Sequence, residues 1–292
     1  MTRPLEGQVA LVAGATRGAG RAIAIMLGAA GATVYGTGRS VKGSPSDIGR
    51  KETIEETAEL VTAQGGQGIA VQVDHTVPEQ VKALFDRVRK EQDGRLDILV
   101  NDVWGGEKLT EWGTPFWESS LDKALLMQQR AVHSHMITSY YATPLLVARR
   151  RGLILEITDG FDYRYRGNLP YSLAKISVIH LAEAQAAELR PHGVAAVAVT
   201  PGFLRSEEML DYFKVTEDNW RDAGAQEPHF LQSETPFFVA KGIAALAADP
   251  DLMSKSGKIL TSWGLSDEYG VIDVDGRTPH WGRYAAEQGF YD

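Results

Sequence analysis

The strongest constraint on this chain lies at its start. An apolar run, Val9–Ala13, passes directly into Gly14-Ala15-Thr16-Arg17-Gly18-Ala19-Gly20, and a helix-period stretch follows over 21–30. Glycine allows a tight turn, a close backbone approach to a ligand and close packing of helix on strand. The N-terminus of the helix then presents unpaired N–H groups to an anion. Closely spaced glycines alone are weak grounds; a strand before them and a helix after them make the pattern specific. Gly14, Thr16, Arg17, Gly18 and Gly20 are therefore expected to cradle a pyrophosphate.

The remainder keeps the same rhythm. Short apolar runs predict strands at 33–36, 68–73, 96–100, 153–157, 195–199 and 258–261. Helix-period stretches at 53–64, 77–92, 120–150, 171–189 and 236–248 lie between and around them, the longest expected to bend near Pro144. Strand and helix alternating, with uniformly apolar strands, means a parallel sheet covered on both faces and wound right-handedly. The expected fold class is α/β: a single doubly wound Rossmann-type parallel sheet with helices on both faces, with seven strands. The 292 residues fit one domain spanning 1–292, with no repeats and no linker. Two segments stand outside the rhythm. Residues 203–235, rich in aromatic and charged side chains, lie where doubly wound folds bind ligands and are expected to cover a substrate as a lid. Residues 264–292 form an extension with no strong period.

Composition narrows the function. With 43% hydrophobic and 23% charged residues the chain is globular rather than disordered. A net charge of −8 argues against a nucleic-acid partner. The absence of cysteine excludes disulfides, thiolate metal sites and a cysteine nucleophile. His133, His135, His180 and His192 show no metal-ligand spacing, so no metal is expected. No apolar run is long enough for a membrane span, and the N-terminus has no signal-peptide shape, so the expected location is cytoplasmic.

Two further patterns carry chemistry. The second strand ends Tyr35-Gly36-Thr37-Gly38-Arg39-Ser40, without the acid that an NAD site uses to hold the ribose hydroxyls. Arg39 and Arg17 instead suit the 2′-phosphate of NADP. Later, Tyr171-Ser172-Leu173-Ala174-Lys175 opens a helix. Positions i and i+4 share a face, so the phenol and the ammonium reach one site. A nearby cation is expected to lower the tyrosine pKa and make Tyr171 an acid–base near neutral pH.

In this order the features resemble the short-chain dehydrogenase/reductase family, over about residues 7–262. The resemblance implies an oxidoreductase that interconverts a carbonyl and an alcohol by hydride transfer with NADP, NAD being the less favoured cofactor. It implies that Tyr171 exchanges the proton with the substrate oxygen, and that Lys175 tunes it and holds the nicotinamide ribose. It assigns Asp74 to adenine, and makes Asn101 the first asparagine of the family's Asn-Asn-Ala-Gly. Pro201, Gly202 and Ser206 match the segment that usually contacts the cofactor. It also implies a homodimer or homotetramer. Gly152-Leu153-Ile154, 189–194, 256–260, Tyr269-Gly270 and 273–277 resemble more closely the dehydrogenase/reductase member 1 subgroup, which makes the extension part of the fold.

Three departures from the family pattern stand out. Asp102-Val103-Trp104 replaces Asn-Ala-Gly, read as a repacked loop. The helix asparagine has no counterpart, with Gln128, Gln129 and Arg130 nearby. Asp159 stands where the family has its catalytic serine, with Thr158 beside it. A carboxylate accepts hydrogen bonds and repels a developing alkoxide. Three readings follow: Asp159 is a protonated donor, or Thr158 supplies the hydroxyl, or Asp159 grips a substrate hydroxyl or cation. In the preferred reading Asp159 faces the substrate, with Arg164 or Arg166 as its partner. One rival function is an NADP-binding sensor that has lost catalysis; another is a transferase on a similar sheet.

Overall fold

The computed structural model describes residues 3–45 and 49–290. The two ends of the expected 1–292 domain, residues 1–2 and 291–292, lie outside these, as do 46–48. Seven strands form one sheet: β1 (Val9–Ala13), β2 (Thr33–Gly38), β3 (Gln67–Gln72), β4 (Ile98–Asn101), β5 (Gly152–Ile157), β6 (Val194–Thr200) and β7 (Ile259–Thr261). Their order is β3-β2-β1-β4-β5-β6-β7, and every pairing is parallel. Ten α-helices lie among the described residues: α1 (Gly18–Ala29), α2 (Ile54–Ala63), α3 (Pro78–Glu91), α4 (Leu121–Gln128), α5 (Ser134–Arg149), α6 (Leu169–Leu189), α7 (Glu207–Phe213), α8 (Pro236–Ala247), α9 (Ser262–Tyr269) and α10 (Trp281–Glu287).

Alternation along β1 builds the two faces. Ala10 and Val12 pack with α1 and α8 through Ile23, Leu27, Val239 and Ile243. Val9, Leu11 and Ala13 turn the other way, towards Val81, Leu84 and Phe85 of α3 and Leu145 and Leu146 of α5. Successive side chains on a strand point to opposite faces, so an all-apolar strand requires cover on both.

The expected 120–150 helix departs from α geometry earlier than its proline. A π-helical turn, Gln129–His133, separates α4 from α5, while α5 runs on through Pro144. Inserted π turns are frequent at functional sites, and this one lies beside α6 and the cleft. The extension is not aperiodic coil: α9 and α10 lie within it, held by Thr261 and His280 side chains as N-caps. Asn168 caps α6, its Oδ1 accepting from Tyr171 N–H at 3.1 Å. That cap fixes Tyr171 in the first turn and Lys175 one turn further on.

Candidate active site

A cleft of about 1210 Å³ opens along the carboxyl ends of the strands. It is lined by Gly14 after β1, Gly38 and Arg39 at the end of β2, Asp74 after β3, Asp102 after β4, Asp159 after β5 and Pro201 after β6. Ligands of open α/β sheets bind at this edge.

The glycine loop fits a dinucleotide. Gly14 has φ +90°, and a Cβ there would lie 2.5 Å from the Asp102 carbonyl oxygen. At Gly20 a Cβ would lie 2.3 Å from the Gly14 carbonyl, so Gly20 serves close packing, and it does not line the cleft. The first turn of α1 has no acidic residue and no side-chain cap. Its Gly18 N–H donates instead to the Glu207 carboxylate at 2.9 Å, an anion occupying the place suited to a phosphate. Arg17 pairs with Glu107 at 2.8 Å. Asp74 forms a local turn, its Oδ1 accepting from Thr76 N–H at 2.9 Å. Thr16, Arg17, Gly18, Arg39, Asp74, Pro201, Gly202 and Ser206 all border the same cleft. The Ser206 hydroxyl caps α7, accepting from Met209 N–H.

Tyr171 and Lys175 face the cleft together. The Tyr171 hydroxyl donates to Asp159 Oδ2 at 2.8 Å. Burial first, then Asp159, pushes the phenol well above its ordinary value. The expected lowering by Lys175 is therefore not what this arrangement produces. Burial lowers Lys175, against the pull of Asp159, Asp102 and Glu107. The Lys175 ammonium lies 3.9 Å from the centre of the Trp104 ring and 5.5 Å from that of Tyr171. Trp104 meets Tyr171 edge-on at 5.4 Å, and Trp112 tilts over it at 5.1 Å. Trp104 is thus more than loop repacking: it forms one wall of the site.

Other expectations are redistributed. Arg164 and Arg166 pair with Asp162 at 3.2 and 3.3 Å, and the hydrogen bond to Asp159 comes from Tyr171 instead. The Thr158 hydroxyl donates to the Lys175 carbonyl at 2.8 Å; its single proton is spent on the helix backbone rather than on a substrate. Gln128 donates to the Pro170 carbonyl, Gln129 is exposed and Arg130 donates to the Gly105 carbonyl. Ala131, an apolar residue, packs against Ala174 beside Tyr171. Asn101 is fully buried, does not line the cleft, and donates to Ser139 and Glu156 at 2.9 Å each.

A family model described as short chain dehydrogenase matches residues 8–216. The chain belongs to the short-chain dehydrogenase family. It is 36% identical to the mouse and human proteins named dehydrogenase/reductase SDR family member 1, over 95% of this chain and 86% of each relative. Among solved structures, a short-chain dehydrogenase from Mycobacterium thermoresistibile superposes with a TM-score of 0.77 at 24% identity, covering 95% of this chain and 92% of the other. A Beutenbergia cavernae structure named for an NAD(P)-dependent gluconate 5-dehydrogenase, with NADP bound, has a TM-score of 0.70 at 23% identity and covers 90% and 97%. The chain is accordingly an NAD(P)-dependent oxidoreductase of that family.

Within this short-chain dehydrogenase, sequence reading missed a set of buried acids. Glu156 sits inside the apolar run of β5, fully buried. Its carboxylate accepts from Asn101 and Gln185 and meets His135 Nδ1 at 2.7 Å. His135 Nε2 lies 3.0 Å from the Val103 carbonyl, which only accepts, so that nitrogen carries a proton, and the contact between Nδ1 and Glu156 takes a second one, on the ring or on the carboxyl. An acid inside an otherwise apolar strand was the one available signal. Asp102, at the base of the cleft, accepts from Gly20 N–H, and burial pushes its carboxyl up to about 7.

Glu234 supports the segment after β6. Its Oε2 accepts from Gly202 N–H at 2.9 Å and from the Ser262 hydroxyl at 2.5 Å. Burial raises its carboxyl from 4.5 to about 8. Between those values the folded chain holds a proton that the unfolded chain has released, so stability falls as pH rises. Glu234→Gln keeps an acceptor for both donors. It is expected to flatten this slope and to raise the thermal midpoint near pH 8, measured by melting curves across the range.

Proposed function

We propose that the chain interconverts a carbonyl and an alcohol using NADP, with Tyr171 as the acid–base. The observation that carries this is the meeting of Gly14, Tyr171 and Lys175 in one cleft at the carboxyl edge of the sheet. The glycine loop and the α1 N-terminus hold the pyrophosphate, displacing Glu207. Arg39 and Arg17 hold the 2′-phosphate, Asp74 the adenine side, and Pro201, Gly202 and Ser206 border the nicotinamide half. Lys175 holds the nicotinamide ribose. Bound NADPH supplies the hydride.

Tyr171 stays protonated through burial and Asp159, and turning its hydroxyl from Asp159 towards a substrate oxygen would let it give the proton that carbonyl reduction needs. Trp104 and Trp112 exclude water from its ring. The 203–235 segment acts as a lid. It reaches the glycine loop through Glu207, and Phe203, Met209 and Phe213 pack with the buried Trp220 and Phe230. The enzyme works in the cytoplasm as a homodimer or homotetramer, on a small molecule.

Titration with NADPH and NADH tests the cofactor assignment. Arg39→Ala should weaken NADPH binding by roughly 10–100-fold, the range for hydrogen bonds to a charged group, and leave NADH binding little changed. Equal losses for both cofactors would remove Arg39 from the 2′-phosphate site.

A further inference from the structure

Hydrogen-bond polarity at the reacting centre goes further than the oxidoreductase reading on which it rests. We propose that the cleft takes a protonated carbon–nitrogen double bond, an iminium ion carried on a ring, in preference to the matched ketone.

Tyr171 has one hydroxyl proton and directs it to Asp159 Oδ2 at 2.8 Å. What the pair then offers the cleft is lone pairs. A ketone oxygen also has only lone pairs, so it meets acceptors, and its reduction builds negative charge beside a carboxylate. An iminium nitrogen has the opposite character: its N–H donates and its charge is positive.

The surroundings agree. Lys175 and Arg166 are the cations that act on the Tyr171–Asp159 pair. Each already has company: Lys175 rests on the Trp104 ring at 3.9 Å, and Arg166 pairs with Asp162 at 3.3 Å. Glu107, which Lys175 shares with Arg17, adds negative charge on the Lys175 side. Trp112 borders the same cleft, and an aromatic face attracts organic cations.

The chemistry balances without a proton donor. The iminium carbon takes a hydride from the reduced nicotinamide, the carbon–nitrogen π pair moves onto nitrogen, and a neutral amine results. Reduction of a ketone consumes one proton more, which Tyr171 must give up while Asp159 is holding it. Asp159 contributes by keeping the imine protonated, since an adjacent carboxylate favours the cationic form.

The test pairs 3,4-dihydroisoquinoline with 1-tetralone as substrates, with NADPH at near-neutral pH. It also measures binding of their reduced forms, tetrahydroisoquinoline and tetralol, by quenching of tryptophan fluorescence. The wild type should favour the imine in kcat/KM, and tetrahydroisoquinoline over tetralol in Kd, each by about tenfold or more. Asp159→Asn should abolish the preference in binding. Asp159→Ser, which restores a hydroxyl donor, should shift turnover towards the ketone.

Ketone turnover equal to or above imine turnover in the wild type overturns the inference and leaves the oxidoreductase reading intact. Amine binding indifferent to both Asp159 variants overturns it as well. Selective, Asp159-dependent amine binding without turnover of either substrate would sink the oxidoreductase reading and uphold the cation site.

Discussion

Replacing Tyr171 by phenylalanine is expected to lower kcat by roughly 10²–10⁴-fold, the range for loss of a positioned acid–base, while NADPH binding is retained. The ring itself is held by Trp104 and Trp112, at 5.4 and 5.1 Å between ring centres, and those contacts need no hydroxyl. The hydroxyl has one visible partner, Asp159. Its removal takes away the proton and leaves the aromatic wall in place. For a group that acts only in the transition state, kcat and kcat/KM fall together. Steady-state kinetics on a reducible carbonyl, with cofactor binding measured separately, checks both parts. Turnover unchanged in the phenylalanine variant would remove Tyr171 from the chemistry. The prediction applies to ketone reduction, where a proton must be supplied; iminium reduction should lose less.

The second large effect concerns stability. Glu156→Ala should destabilise the fold by about 3–5 kcal/mol, the cost of breaking a buried charged network on one side. That corresponds to a fall of roughly 10 °C in the thermal midpoint for a chain of this size. Asn101, His135 and Gln185 would each lose a partner, the first two of them buried. Glu156→Gln should cost far less. Its amide oxygen can receive Asn101 and Gln185, and its NH₂ can donate to His135 Nδ1, because His135 Nε2 keeps the proton for Val103. Melting curves of the two variants separate lost hydrogen bonds from lost charge. Equal destabilisation would mean that the charge on Glu156 matters. The network joins β4, β5 and the start of α5 beneath the cleft-lining residues 102–104, so the alanine variant should also weaken cofactor binding.

Local pattern made much of this molecule legible. The apolar run of β5 is predicted at 153–157 and observed at Gly152–Ile157; β6 is predicted at 195–199 and observed at Val194–Thr200. In these two the boundaries moved by one residue because ladder pairing carries the strand past its apolar run. The extension was opaque for a different reason. α9 and α10 are short, and their N-caps, Thr261 and His280, sit in sequence with little periodicity around them. The bend expected at Pro144 was misplaced because proline marks only where a helix lacks one N–H. The π turn at Gln129–His133 arises where the helix meets α6, which no local rule encodes.

By itself the sequence determined the order of strands and helices, the glycine-lined turn after β1 and the single helical turn between Tyr171 and Lys175. These depend on residues within a few positions of each other, where backbone sterics and period decide the outcome. Only the tertiary structure decided which groups Tyr171, Asp159 and the glycine loop would meet. The Glu207 carboxylate reaches Gly18 from 189 residues away, and Arg164 and Arg166 turn to Asp162 instead of Asp159. A side chain's protonation and partners follow from how much water the packed chain leaves around it and which charges it brings close. Neither quantity is written in the spacing of residues along the chain.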